Sequence, residues 1–183
     1  DGFDVVPDPN DSKWVYAMSQ GGNVGRYNTK TGESWFVKPA NPNLQTQLRF
    51  NWNAAIAQDP FDNNTIYFGS QYLHRSANKG NTWETISGDL STNDSAKIDQ
   101  NKNGGLSLDI TGAENHCTIL TIAPSAKEKG IIWVGTDDGN VQLTRDGGKT
   151  WTNTSINLPG DIPKQTWVSS IEPSHVNKEI VYA

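Results

Sequence analysis

Thr144-Arg145-Asp146-Gly147-Gly148-Lys149-Thr150-Trp151 is the stretch on which the fold is read, because it fits the pattern Ser/Thr-x-Asp-x-Gly-x-Thr-Trp at every defined position. A second copy, Ser76-Ala77-Asn78-Lys79-Gly80-Asn81-Thr82-Trp83, replaces Asp with Asn. A third and more worn one, Asn28-Thr29-Lys30-Thr31-Gly32-Glu33-Ser34-Trp35, keeps Gly and Trp. The pattern describes a hairpin turn. A short Asp or Asn side chain accepts backbone N–H groups, Gly supplies a positive φ, and Trp is expected to anchor the following strand in the core. Ser76, Asn78, Gly80 and Trp83, with Thr144, Asp146, Gly148 and Trp151, are therefore read as structural residues, and Asp146 is not a candidate acid.

Around each copy the same order recurs: an apolar strand ending near proline, a strand with an aromatic residue, a turn, a third strand, then the Gly–Trp hairpin. The prolines Pro9, Pro60, Pro124 and Pro173 are spaced by 51, 64 and 49 residues, close to the roughly 40–50 residues of a four-stranded propeller blade. The reading is an all-β chain, a β-propeller of four-stranded antiparallel blades. Blade 1 is placed at about 1–40, blade 2 at 49–87, an inserted loop at 88–116, blade 3 at 117–156 and a partial blade 4 at 165–183. About three and a half blades are counted, and an open stack leaves sheet edges unprotected. The expectation is thus a fragment of a larger propeller, with the remaining blades of the same polypeptide as partners. A self-contained β-sandwich of about 14 strands is the alternative.

Composition agrees with many short strands. Of the 183 residues only 34% are hydrophobic and 19% charged, and mean hydropathy is −0.65. Seven Trp and five Tyr supply the apolar mass that a disordered chain lacks. A net charge of −5 with scattered Lys and Arg gives no basic stripe for nucleic acid. No run approaches the roughly 18 apolar residues of a membrane helix, so no membrane insertion is expected, and Asp1-Gly2 does not open a signal peptide. One cysteine, Cys117, excludes an internal disulfide and is silent on compartment. Gly148-Lys149-Thr150 mimics the end of a phosphate-binding loop, but the first glycine of that motif would fall on Leu143.

The three copies resemble the Asp-box of the BNR-repeat β-propellers, which include sialidases, xyloglucanase-type glycosidases and sortilin-type receptors. Arg49-Phe50-Asn51-Trp52-Asn53-Ala54, Thr111-Gly112-Ala113-Glu114 and Trp133-Val134-Gly135-Thr136-Asp137-Asp138-Gly139 are similar to a secreted bacterial branch of that group, labelled glycosyl hydrolase-like or sortilin-like. The resemblance implies a secreted, periplasmic or cell-surface location. It is specific for the fold and not for an activity.

In a propeller, loops entering the innermost strands face the ligand. Arg49, Asn51 and Trp52 precede a strand at 54–57, Asp109, Glu114 and His116 precede one at 118–122, and Trp167 precedes one at 168–171. Trp stacks on apolar faces, while carboxylates and amides bond hydroxyls. This set suits a sugar or a peptide. Asp109 and Glu114 are the candidate catalytic pair, since a glycosidase needs two carboxylates roughly 5–9.5 Å apart. Arg49 pairing with Glu114 is the plainer alternative for both, and Trp52 and Trp167 are equally readable as core. The four arginines do not form a sialidase clamp, because Arg26, Arg75 and Arg145 flank the turns. His116 and Cys117, if on a strand, point to opposite faces, and no histidine has metal-ligand spacing, so neither metal nor cofactor is expected. Asp137-Asp138-Gly139-Asn140 reads as a tight turn with solvated carboxylates. The functional expectation is a channel face binding a carbohydrate, with or without hydrolysis. The alternatives are a non-catalytic peptide- or protein-binding propeller, as the sortilin-type resemblance implies, and an assembly scaffold.

Overall fold

The computed structural model describes residues 2–99 and 112–183. Three four-stranded antiparallel sheets follow one another, each with its strands in chain order. The first contains β1 (Gly2–Pro7), β2 (Trp14–Ser19), β3 (Asn23–Asn28) and β4 (Ser34–Phe36). The second contains β5 (Ile56–Gln58), β6 (Ile66–Gly69), β7 (Leu73–Ser76) and β8 (Glu84–Thr85), and a short helix α1 (Ser95–Ile98) lies in the connection that follows it. The third contains β9 (Ile119–Pro124), β10 (Ile132–Thr136), β11 (Val141–Thr144) and β12 (Thr152–Asn153). A two-stranded sheet of β13 (Glu172–Pro173) and β14 (Val181–Tyr182) begins a fourth. The inner strands β5, β9 and β13 thus start one to four residues later than the sequence suggests.

First strands of successive sheets contact one another, β1 with β5, β5 with β9 and β9 with β13, so the sheets converge on a shared axis. These are blades of a β-propeller. The core lies between blades. Tyr16, Met18, Val24 and Val37 of blade 1 pack on Ile66 and Phe68 of blade 2. Tyr67, Leu73 and Ile86 of blade 2 pack on Ile119, Ile132 and Val134 of blade 3. Side chains alternate across a strand, so Ile66 and Phe68 serve one interface and Tyr67 the other, which is why β6 is buried at every position. In a meander of this kind the β1–β2 and β3–β4 turns share one end of the blade, here the turn face. The β2–β3 turns and the inter-blade connections share the other, here the linker face.

Two Gly–Trp turns clasp adjacent blades on the turn face. Ser76 Oγ accepts from Gly80 N at 2.8 Å, and Asn78 Oδ1 accepts from Thr82 N at 2.9 Å. Thr144 Oγ1 accepts from Gly148 N at 2.9 Å, and Asp146 accepts from Thr150 N at 2.9 Å and from Thr150 Oγ1 at 2.7 Å. Those Thr150 bonds hold the Asp146 carboxyl down to about 2. The indoles do more than anchor their own strands. Trp83 Nε1 donates to Val37 O at 2.7 Å, and Trp151 Nε1 donates to Ile86 O at 3.0 Å, each acceptor ending the fourth strand of the preceding blade. Glycine is required at this approach, since a Cβ on Gly80 would lie 2.9 Å from Val37 Cβ and one on Gly148 2.8 Å from Ile86 O.

The third copy does not behave this way. Val37 N bonds Val24 O just as Ile86 N bonds Leu73 O, which aligns Ser34, not Trp35, with Trp83. A one-residue offset on a strand moves a side chain to the other face. Trp35 accordingly stacks on Trp14 within its own blade and stays 48% exposed.

Inside blade 2, His74 is buried, with Nε2 2.8 Å from Ser70 Oγ and Nδ1 3.1 Å from Thr85 Oγ1. Burial lowers its pKa to about 4. The unfolded chain therefore takes up a proton between about pH 6.5 and pH 4 that the folded chain refuses. Stability from this residue is complete above pH 6.5 and falls by about 3 kcal/mol as the pH drops to 4. Urea melts of the native protein and His74→Gln across this range should diverge by that amount. Separately, Gly148→Ala should cost more than about 1 kcal/mol beyond Gly147→Ala, because both have positive φ but only Gly148 is crowded by a backbone oxygen.

Candidate functional site

On the linker face, each inter-blade connection grips the β2–β3 turn of the blade before it. Ile119 N donates to Ser70 O at 2.8 Å, and Val168 N donates to Thr136 O at 3.0 Å. The contact is close because Gly69 and Gly135 occupy the same place in their blades. A Cβ there would meet Ile119 at 2.7 Å or Val168 at 2.5 Å.

These grips gather the candidate residues into two clusters, one half-buried and one buried. In the first, Arg49 donates from Nη2 to Asp89 Oδ2 at 2.7 Å and from Nε to Cys117 O at 3.3 Å, while its backbone N donates to Gln71 Oε1 at 2.8 Å. Arg49 thus pairs with Asp89 of the connection after blade 2, which its fork faces. In the second, Asp137 accepts from Thr118 N at 2.9 Å, Thr118 Oγ1 at 2.8 Å and Asn51 Nδ2 at 3.0 Å. His116 Nδ1 lies 3.2 Å from the same carboxylate. Burial pushes the Asp137 carboxyl above the ordinary range, and the Thr118 backbone N–H, the His116 charge and the Thr118 hydroxyl pull it back.

Asp138 is equally buried, accepting from Thr92 N at 2.7 Å, Thr92 Oγ1 at 2.8 Å and the Thr136 hydroxyl. The carboxylates of the 137–140 turn are therefore not solvated as expected; they tie this turn to the connections entering blades 2 and 3. His116 and Cys117 do not sit on opposite faces of a strand either. They precede β9, and Cys117 takes a φ of +61° with its N–H on His116 Nδ1 at 2.9 Å. Burial first, then the Asp138 carboxylate, raises the Cys117 thiol to about 12, so it stays protonated.

Glu114 is buried and engaged, and Asp109 lies outside the described residues. Trp52 is half-buried with its ring 6.5 Å from Phe3, turned toward blade 1 rather than toward the clusters. Trp167 is 45% exposed beside the grip of Val168 on blade 3. Asp89, Thr92, Asp137 and Asp138 are the network members that sequence reasoning missed. The available signal was the doubled carboxylate in a turn that needs only one. Among the described residues, no group of three or more His, Cys, Asp or Glu is placed to hold a metal, and no helix is long and apolar enough to cross a membrane.

Beside this network a cleft of about 460 Å³ opens between the 137–140 turn and the 154–166 segment. Ile156, Leu158, Pro159, Ile162 and Pro163 form one wall, with Asn140, Lys164 and Gln165 supplying polar groups. Asp138 also lines it, and Lys97 in the last turn of α1 bonds the lining residue Gln165.

No protein-family model matches the sequence, and no curated protein matches it. Solved structures similar to the chain include an ancestral GH74 enzyme at 25% identity, with a TM-score of 0.47 over 82% of this chain and 17% of that one. The GH74 xyloglucanase from Xanthomonas campestris is similar at 19% identity and a TM-score of 0.49 over 87% of this chain and 23% of that one. YCF48 bound to D1 peptide is similar at 14% and 0.47, over 83% and 38%. The chain thus spans well under half the length of these three.

The saturated carboxylates set an expectation. Asp137→Asn places an amide N–H against existing donors and should cost about 2–4 kcal/mol in urea unfolding. Glu84→Gln, which breaks only the exposed pair with Arg75, should cost under about 1 kcal/mol.

Proposed function

We propose that this chain belongs to a non-catalytic binding propeller that holds an extended polypeptide segment of a partner on its linker face. The observation that carries this reading is the 460 Å³ cleft, whose walls are aliphatic residues, prolines and backbone, with no aromatic plane for a sugar ring. Lys164, on the lining, complements an acidic side chain on the occupant. The neighbouring carboxylates support the absence of turnover. Hydrolysis of a glycosidic bond needs one acid free to give a proton and a second group free to attack or to activate water. Asp137 and Asp138 spend their oxygens on protein donors.

A glycan reading of the same face is favoured by one observation, the exposed indole of Trp167. The two separate in one set of assays on the full-length protein. Immobilised random 12-residue peptides should be retained by the native protein and lost with Ile156→Asp, while xyloglucan should release no reducing ends. Peptide retention unaffected by Ile156→Asp, or xyloglucan cleavage abolished by Glu114→Gln, overturns the proposal.

A further inference from the structure

The hydrogen bonds that end each fourth strand, Val37 N to Val24 O, Ile86 N to Leu73 O and Thr154 N to Val141 O, align the three blades residue by residue. On that alignment the last two positions of the outermost strand are Glu84-Thr85 in blade 2 and Thr152-Asn153 in blade 3, all polar and exposed. In blade 1 they are Trp35-Phe36, 48% and 69% exposed. Blades 2 and 3 show that the architecture asks only for polar residues here. Two large aromatics on an outer strand gain little from folding, so their presence points to a ligand.

Trp35 is also held ready. Its indole stacks on Trp14 at 4.8 Å and 17°, and the Arg26 guanidinium lies 4.7 Å over Trp14. Arg26 is fixed by Asp8 at 2.8 Å, and Asp8 is shared at 2.8 Å with Lys79 from the turn of blade 2. Two cations against one buried carboxylate leave donors in excess at this corner. Beside the indole opens a cavity of about 340 Å³ lined by Arg26, Trp35, Phe36, Val37, Gly80 and Asn81. Gly80 adds no side chain to fill it.

We propose that this outer-wall pocket binds carbohydrate, with the C–H face of a pyranose stacked on Trp35 and its hydroxyls or carboxylate facing Asn81 and Arg26. A flat, rigidly backed aromatic surface edged by an amide and a guanidinium matches a ring that is apolar on its face and oxygen-rich at its rim. The site is separate from the linker-face cleft and stands or falls independently of it.

The full-length protein is titrated calorimetrically with cellohexaose and with trigalacturonic acid at millimolar concentration, to distinguish a neutral from an acidic sugar. Binding of either, weakened about tenfold or more by Trp35→Glu and retained in part by Trp35→Tyr, supports the site. Trp35→Glu installs the residue blade 2 already carries opposite Arg75, so its melting temperature should match the native protein. Val176→Ala, at an exposed position between β13 and β14, should leave sugar binding unchanged. No binding of either sugar, binding indifferent to Trp35→Glu, binding lost in Val176→Ala, or binding of a proline-rich peptide here in place of sugar overturns the proposal. Should Trp35→Glu unfold, Asn81→Ala decides on the same scale, and unchanged affinity overturns it.

Discussion

The joint between blades rests on one hydrogen bond, an indole N–H given to the last carbonyl of the fourth strand next door. Trp83 reaches Val37 and Trp151 reaches Ile86. Glycine at 80 leaves room for the Val37 side chain and glycine at 148 for the Ile86 carbonyl, so each turn can close on the strand next door. The flanking Ser or Thr and the Asp or Asn supply the acceptors that keep the turn in shape. Buried apolar faces then do what a non-directional force can, filling the space between sheets whose spacing the clasp has set.

The linker face is held by a pair of buried carboxylates in one turn, where the turn face buries Asp8 between Arg26 and Lys79 and bonds its Gly–Trp turns at the exposed rim. Asp137 and Asp138 are surrounded by donors from the connections into blades 2 and 3, so one turn of blade 3 fixes segments that are 46 and 86 residues away in sequence. Such a cluster is stable only when complete, and incomplete it is worse than an apolar plug. It gives the face a fixed shape, which suits recognition better than proton transfer.

Much of the fold was legible in the sequence because its signals are local. Two turn motifs, the aromatic second strands and the proline spacing all act within a single blade. The offset in blade 1 was not legible, since Trp35 follows a glycine as Trp151 does, and only strand register shows that Ser34 holds the inward position. The site was legible in part. Arg49, Asn51, Glu114 and His116 were nominated from their place before inner strands, and all four are half-buried or buried. The partners were not, because Asp89 meets Arg49, and Asp137 meets Asn51 and His116, through contacts of long sequence separation. Asp137 and Asp138 have turn chemistry in a one-dimensional reading, and burial is a property of the neighbouring blades.

Both clasps point the same way. A tryptophan always takes hold of a carbonyl that lies nearer the N-terminus, so each blade finds its acceptor already synthesised when it leaves the ribosome. Neither clasp waits for anything made later to join blade 2 to blade 1 or blade 3 to blade 2. The ring can therefore grow vectorially, adding one sheet at a time to a docking edge that exists before its guest, and exposed apolar faces are hidden in the order in which they emerge.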